Sequence, residues 1–272
     1  MSAASLSSGK GHRDENFPVA SWILRPQHRA PIMAFYRFAR AADDVADHPT
    51  ASAAEKLEGL AEMRRGLAGE GDDPNALALG RVLAERRIDS QHAHDLLDAF
   101  VQDVTVRRYP DWDALMRYCR YSAMPVGRFV LDVHGESRAL WPANDALCAA
   151  LQVINHLQDC GKDYRALDRV YIPADVLPDA SVLAGGRSTP ELQAVIISLA
   201  GRTQGLLAES AGFARAIRDR RLGAEVAIIQ GLAEDLCERL LRCDPLAERV
   251  HHRRGEAAWL AARAVLGYWA RR

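Results

Sequence analysis

Apolar residues recur every three to four positions through most of the chain, and the alternating runs that make half-buried strands are nearly absent. The pattern predicts an almost wholly helical protein, with helices near 31–47, 52–69, 75–88, 90–107, 111–135, 143–165, 190–219, 221–242 and 255–270, each end placed to within ~2–4 residues. Ser90 and Thr189 are candidate N-caps, Pro190 suits a first helical position, and Pro49, Pro110 and Pro173 fall in breaks. Pro125 lies inside the predicted helix 111–135 and should kink it, because it removes one backbone bond and crowds the carbonyl four residues back. The two longer loops, Gly69–Pro74 and Tyr171–Arg187, are too short to separate domains, and no repeat is visible. The expectation is an all-α protein of one domain spanning 1–272, with residues 1–15 as a flexible lead.

Composition narrows the function classes. Of the 272 residues, 49% are apolar and 26% charged, which excludes a disordered or collagen-like chain. Thirty-five Lys+Arg against 36 Asp+Glu give a net charge of −1, so no bulk attraction draws the protein to nucleic acid. The five cysteines form no CxxC pair, which suggests neither disulfides nor zinc and fits a reducing compartment. No apolar run reaches the ~18 residues of a membrane span, and the opening MSAASLSSGKGHRDE lacks a signal-peptide core, so a cytoplasmic placement is expected.

Two polar stripes carry the candidate chemistry. On a helix, Tyr36, Arg40, Asp43 and Asp47 fall at i, i+4, i+7 and i+11, with Asp44 beside them. Like charges at i, i+4 repel and the helix dipole disfavours acids at a C-terminus, so this cluster is poorly explained as decoration. Gln152, Asn155, Asp159 and Asp163 repeat the pattern at i, i+3, i+7 and i+11 on a helix whose other face is Leu147, Leu151, Ile154 and Leu157. Two such helices facing each other would set carboxylates across a cavity mouth. Oxygen-only ligands select hard cations, and Mg²⁺ commonly bridges one or two carboxylates to substrate phosphates. The chemistry expected is departure of diphosphate, with Arg40 as a fixed cation and a carbocation left in an apolar tunnel.

In this order the residues resemble the squalene/phytoene synthase family, over about Asn16 to Arg263. The first acidic motif matches at Tyr36, Arg40, Asp43, Asp44 and Asp47, and the second at Gln152, Asn155, Asp159, Asp163, Arg169, Tyr171 and Pro173. Tyr118-Cys-Arg-Tyr-Ser-Ala-Met-Pro-Val126-Gly127 is similar to the central helix, whose leading tyrosine lines the reaction cavity. Glu15-Asn-Phe-Pro, Ala41-Ala-Asp-Asp-Val-Ala-Asp47 and Asn155-His-Leu-Gln-Asp-Cys look most like the bacterial hopanoid-pathway group. The resemblance implies an isoprenoid-synthase-type helical bundle around a central apolar cavity. It implies Mg²⁺ at Asp43, Asp44, Asp47, Asp159 and Asp163, and no NADPH. The substrate implied is presqualene diphosphate, converted to hydroxysqualene with release of diphosphate, and other hopanoid-pathway enzymes are the implied partners. Two rivals are a head-to-head synthase using farnesyl diphosphate and a non-catalytic assembly factor of the same fold.

Departures from the family pattern are Asn16 for Ser, Gln158 for Arg, Ser122 for an apolar residue and Met124-Pro125 for small residues. Gln158 is read as reflecting one bound diphosphate instead of two, since less charge needs fewer guanidinium groups. Asn16, Phe17 and Val126 are candidate substrate contacts, with Leu157 a further wall residue. Tyr118 is the candidate catalytic tyrosine, while Tyr121 is expected to point to another part of the interior. Arg169 and Tyr171 either close over diphosphate or form a surface turn. His156 is given no role, and His251-His252-Arg253-Arg254 reads first as a solvated basic face. The Trp259–Trp269 stretch is amphipathic, with packing on the core ahead of contact with a membrane surface.

Overall fold

A computed structural model describes residues 23–270, so the expectations for Asn16, Phe17 and residues 1–15 lie outside the described residues. The helices are α1 (Pro26–Ala46), α2 (Ala53–Leu67), α3 (Pro74–Arg86), α4 (Gln91–Thr105), α5 (Trp112–Ser122), α6 (Met124–Val133), α7 (Trp141–Leu167), α8 (Pro190–Glu209), α9 (Phe213–Ala216), α10 (Arg220–Leu240) and α11 (Arg254–Ala270). Among the described residues there is no strand, only an isolated parallel bridge between Arg108 and Val170. The all-α expectation holds. The chain packs as two compact units, one comprising the residues up to Val106 with Pro125–Ser137, the other Arg107–Met124 with Arg138 onward.

In the first unit, α1 to α4 pack with α6 around Phe35, Phe38, Leu60, Met63, Leu79, Leu97 and Phe129, all nearly inaccessible to water. Phe35 stacks on Phe129 with ring centroids 4.1 Å apart, and His92 Nε2 meets Asp132 Oδ2 at 2.9 Å, so both α1 and α4 hold α6. Helix α1 starts five residues before its predicted start, because Pro26 rather than Pro31 occupies the first helical position. Pro31 therefore lies within the helix and has no N–H for the carbonyl of Gln27; the Arg86 guanidinium donates to that carbonyl instead, at 2.9 Å. Ser52 and Glu55 form a reciprocal capping box on α2, and Asp73 caps α3.

The second unit is organised on α7, which packs against α5, α8 and α10, while α10 also carries α11. Ala149, Ala150, Val153, Ile154 and Leu157 give α7 its buried face, and on the helices packed against it Ile196 and Leu199 of α8 and Leu232, Leu236 and Leu240 of α10 are buried as well. Thr189 caps α8 as expected, its Oγ1 accepting from Leu192 N at 3.2 Å.

Three sequence expectations need correction. The predicted helix 111–135 is two helices, broken at Ala123, which places Pro125 in the first turn of α6 where a missing N–H has no partner to lose. The predicted helix 190–219 ends at Glu209, where Ser210 turns its hydroxyl onto Leu207 O at 3.0 Å and Gln230 Oε1 at 2.8 Å before Gly212. Ser90 makes no side-chain cap; Asp89 Oδ1 takes Gln91 N at 2.9 Å in its place.

Candidate active site

The first acidic motif occupies the last two turns of α1. Arg40 Nη1 donates to Asp43 Oδ2 at 2.7 Å and Nη2 to Asp44 Oδ1 at 3.4 Å, so the guanidinium expected to face a diphosphate bridges two of the acids. Asp47 ends the helix, its backbone N–H bonded to Asp43 O at 2.9 Å. Tyr36 is half-buried on the same helix, and Val126 is 41% exposed on α6. The Asp43 carboxyl is pushed up to about 7, first by burial and then by the Asp47 carboxylate, with Arg40 pulling the other way and Asp103 and Asp44 adding to the rise. Asp103, buried on α4, is a neighbour that α1 alone did not reveal.

The second motif runs along α7. Asp159 is paired with Lys162 Nζ at 3.4 Å on an open face, Asp163 is half-buried one turn on, and Asn155 is half-buried one turn back. Deeper in, His156 is the centre of a cluster the sequence left unassigned. Gln152 Nε2 lies 3.1 Å from His156 Nε2, and the imidazole stacks on Tyr171 with centroids 3.5 Å apart. Tyr118 and Tyr171 bring their hydroxyls to 3.5 Å, Arg169 Nη1 donates to Tyr171 OH at 3.3 Å, and Tyr109 stacks on Tyr171 at 5.6 Å. The structure thus gathers Tyr118, Gln152, Arg169 and Tyr171 around a histidine at i+4 from Gln152.

Arg169 and Tyr171 are buried and do not form a surface turn. Backbone pairing explains this: Val170 N donates to Arg107 O at 3.0 Å and Ala174 N to Tyr109 O at 2.8 Å, laying the segment after α7 beside the one before α5. Tyr121 is 39% exposed and so leaves the interior expected for it, while Tyr118 is buried. Gln158 is buried and donates to Val250 O, so its amide fixes the segment before α11. In that segment His252 Nε2 meets Asp235 Oδ2 at 2.9 Å, while Arg253 and Arg254 are exposed.

Burial, with the Arg169 charge second, drives His156 down to about 3. Its folded value lies below the usual 6.5, so its stabilising form is neutral. That stability is present above pH 6.5 and is lost as the pH falls toward 3. Thermal unfolding followed from pH 7 to 4 should show a shallower acid loss in His156→Gln than in the parent chain. Parallel curves would remove His156 from the balance.

Residues 11–256 match the sequence model of squalene/phytoene synthase. The chain belongs to the squalene/phytoene synthase family. Two relatives in that family are hydroxysqualene synthases. The one from Zymomonas mobilis is 56% identical, over 98% of this chain and 92% of its own. The one from Rhodopseudomonas palustris is 55% identical, over 92% of this chain and 87% of its own. Among solved structures, squalene synthase HpnC from Alicyclobacillus acidocaldarius superposes with a TM-score of 0.74 at 29% identity, covering 88% of this chain and 92% of that one. The fold is the helical fold of these synthases.

Squalene/phytoene synthases generally depend on divalent metal ions. The donors on α1 fit such an ion chemically: they are carboxylates only, and the Asp43 side chain keeps 36% of its surface open to an incoming cation. Among the described residues, Asp43, Asp44 and Asp47 do not converge three oxygens on one point. That suits an ion completed by substrate oxygens and water better than one enclosed by protein.

Proposed function

We propose that this enzyme converts presqualene diphosphate and water to hydroxysqualene and diphosphate. The bond from the cyclopropylcarbinyl carbon to oxygen breaks and its electron pair leaves with diphosphate; the cyclopropylcarbinyl cation rearranges and a C–C bond of the three-membered ring breaks, and water oxygen bonds to the electron-deficient carbon of the opened, acyclic skeleton. The proton shed by the resulting oxonium is carried off by the released diphosphate. The observation that carries this reading is the 55–56% identity, over nearly the whole chain, to two hydroxysqualene synthases.

The residues support it. Asp43, Asp44 and Asp47 on α1 and Asp159 and Asp163 on α7 would hold Mg²⁺, which when bound neutralises charge on the leaving oxygens. Arg40, which pairs with Asp43 and Asp44, would supply a fixed cation to the diphosphate beside them. Tyr118, Tyr171 and Tyr109 offer ring faces that favour a cation without offering it a strong nucleophile. Gln152, held by His156, and Asn155 supply neutral polar atoms on the same helix, suited to orienting water or substrate. Asn16, Phe17 and Val126 are proposed substrate contacts. The whole chain is proposed to act as one catalytic domain. NADPH has no part in this chemistry, since no hydride is transferred.

Separate incubations with farnesyl diphosphate and with presqualene diphosphate test the reading. An alcohol from the second alone is expected. Consumption of farnesyl diphosphate to presqualene diphosphate or a hydrocarbon would assign a head-to-head synthase instead.

A further inference from the structure

Helix α11 is unusual in what it leaves outside. Leu260 and Tyr268 are buried, yet the opposite face carries Trp259, Leu266 and Trp269 at 60%, 71% and 47% exposure. At ~100° per residue, Trp259, Ala262, Arg263, Leu266, Trp269 and Ala270 fall within a stripe about 120° wide. Surface helices of globular proteins put polar residues there; this one has a single charged residue on the stripe, Arg263, whose guanidinium sits 5.0 Å above the Trp259 ring. Trp259 and Trp269 are ten residues apart, about 15 Å along the axis, so both can reach one plane. No helix among the described residues is long and apolar enough to cross a membrane.

Charge selects the occupant. From Arg253 to the end of α11 the exposed charges are Arg253, Arg254 and Arg263, all basic, while the acid of the first turn, Glu256, is paired with Arg239. A second copy laid on this face would set arginines against arginines. It would also bury one side of a helix of 17 residues, well short of the ~800 Å² per partner of a stable interface. Anionic lipid headgroups match the charge, and indole rings favour the depth of the headgroups.

We infer that the outer face of α11 docks on an anionic lipid bilayer, seating Trp259, Leu266 and Trp269 at headgroup depth and setting Arg253, Arg254 and Arg263 against lipid phosphates. The helix lies in the plane of the interface and does not cross it.

Co-sedimentation with vesicles tests this without any substrate, so its outcome is independent of the proposed reaction. The full chain should sediment with phosphatidylglycerol/phosphatidylcholine vesicles, far less with phosphatidylcholine alone, and less as salt rises. Replacing Trp259, Leu266 and Trp269 together by Gln should lower the partition ~10-fold or more, with thermal unfolding and turnover in detergent unchanged. Arg263→Gln should weaken binding to the mixed vesicles only. Failure of the parent chain to sediment, or sedimentation of the triple variant at the parent level, would overturn the inference. So would light scattering that shows a dimer lost in the triple variant, which would assign the face to a second copy.

Discussion

Asp43→Asn is expected to reduce turnover of presqualene diphosphate by ~10²–10³ or more while leaving the metal-free fold as stable as before, or more so. The two effects share a cause. Asp43 sits among Asp44, Asp47 and Asp103, and burial together with the Asp47 charge raises its carboxyl to about 7 against an ordinary 3.8. A carboxyl raised in the folded state stabilises the fold in its neutral form. That contribution is complete below about pH 4 and is lost as the pH climbs through 7. An asparagine holds the neutral form at every pH, so in chelator at pH 8 its unfolding temperature should equal or exceed that of the parent chain. Arg40 keeps Asp44 as a partner in the variant, which limits the loss on that side. A variant that is both inactive and markedly less stable would mean that Asp43 serves the fold, and the metal-binding role would have to be withdrawn.

Asp159→Ala should match that loss of turnover with almost no change in stability. The side chain is 41% exposed and its ion-pair partner, Lys162, lies at 3.4 Å with 64% exposure; an open pair of this kind contributes ~0–1 kcal/mol. If both acids hold cations on the same leaving group, their losses will not multiply: the Asp43→Asn, Asp159→Ala double variant should be scarcely slower than either single one. Multiplicative losses would indicate two independent sites. A helical scaffold without catalysis would show no turnover to lose, and that reading falls with the first measured activity.

The helical order and both acid stripes were legible in the sequence because they depend only on the 3.6-residue period and on residue type. Tyr36, Arg40, Asp43 and Asp47 needed nothing beyond a single helix to be grouped. Asp103 was not legible, since α4 brings it to Asp43 from 60 positions away and no local pattern marks it. His156 was within reach: it stands four residues from Gln152, the spacing at which helical side chains meet. A lone histidine among leucines reads as core, and only the stacking of Tyr171, delivered by the pairing of residues 170–174 with 107–109, shows its place in the cluster. Pro125 announced a disturbance, but whether the helix bends or restarts was settled by packing, with Phe129 drawn onto Phe35 once α6 begins afresh. Gln158 illustrates the opposite case. Its difference from family relatives invited an electrostatic explanation, and its amide is bonded to the Val250 carbonyl.

Incubation of the enzyme with presqualene diphosphate and Mg²⁺ in H₂¹⁸O, followed by mass analysis of the product, tests the central claim most directly. Ionisation at carbon and capture by water predict hydroxysqualene carrying ¹⁸O in its hydroxyl. An alcohol that retains ¹⁶O would place the cleavage between phosphorus and oxygen, and a hydrocarbon would show that water is not the nucleophile; either result contradicts the account.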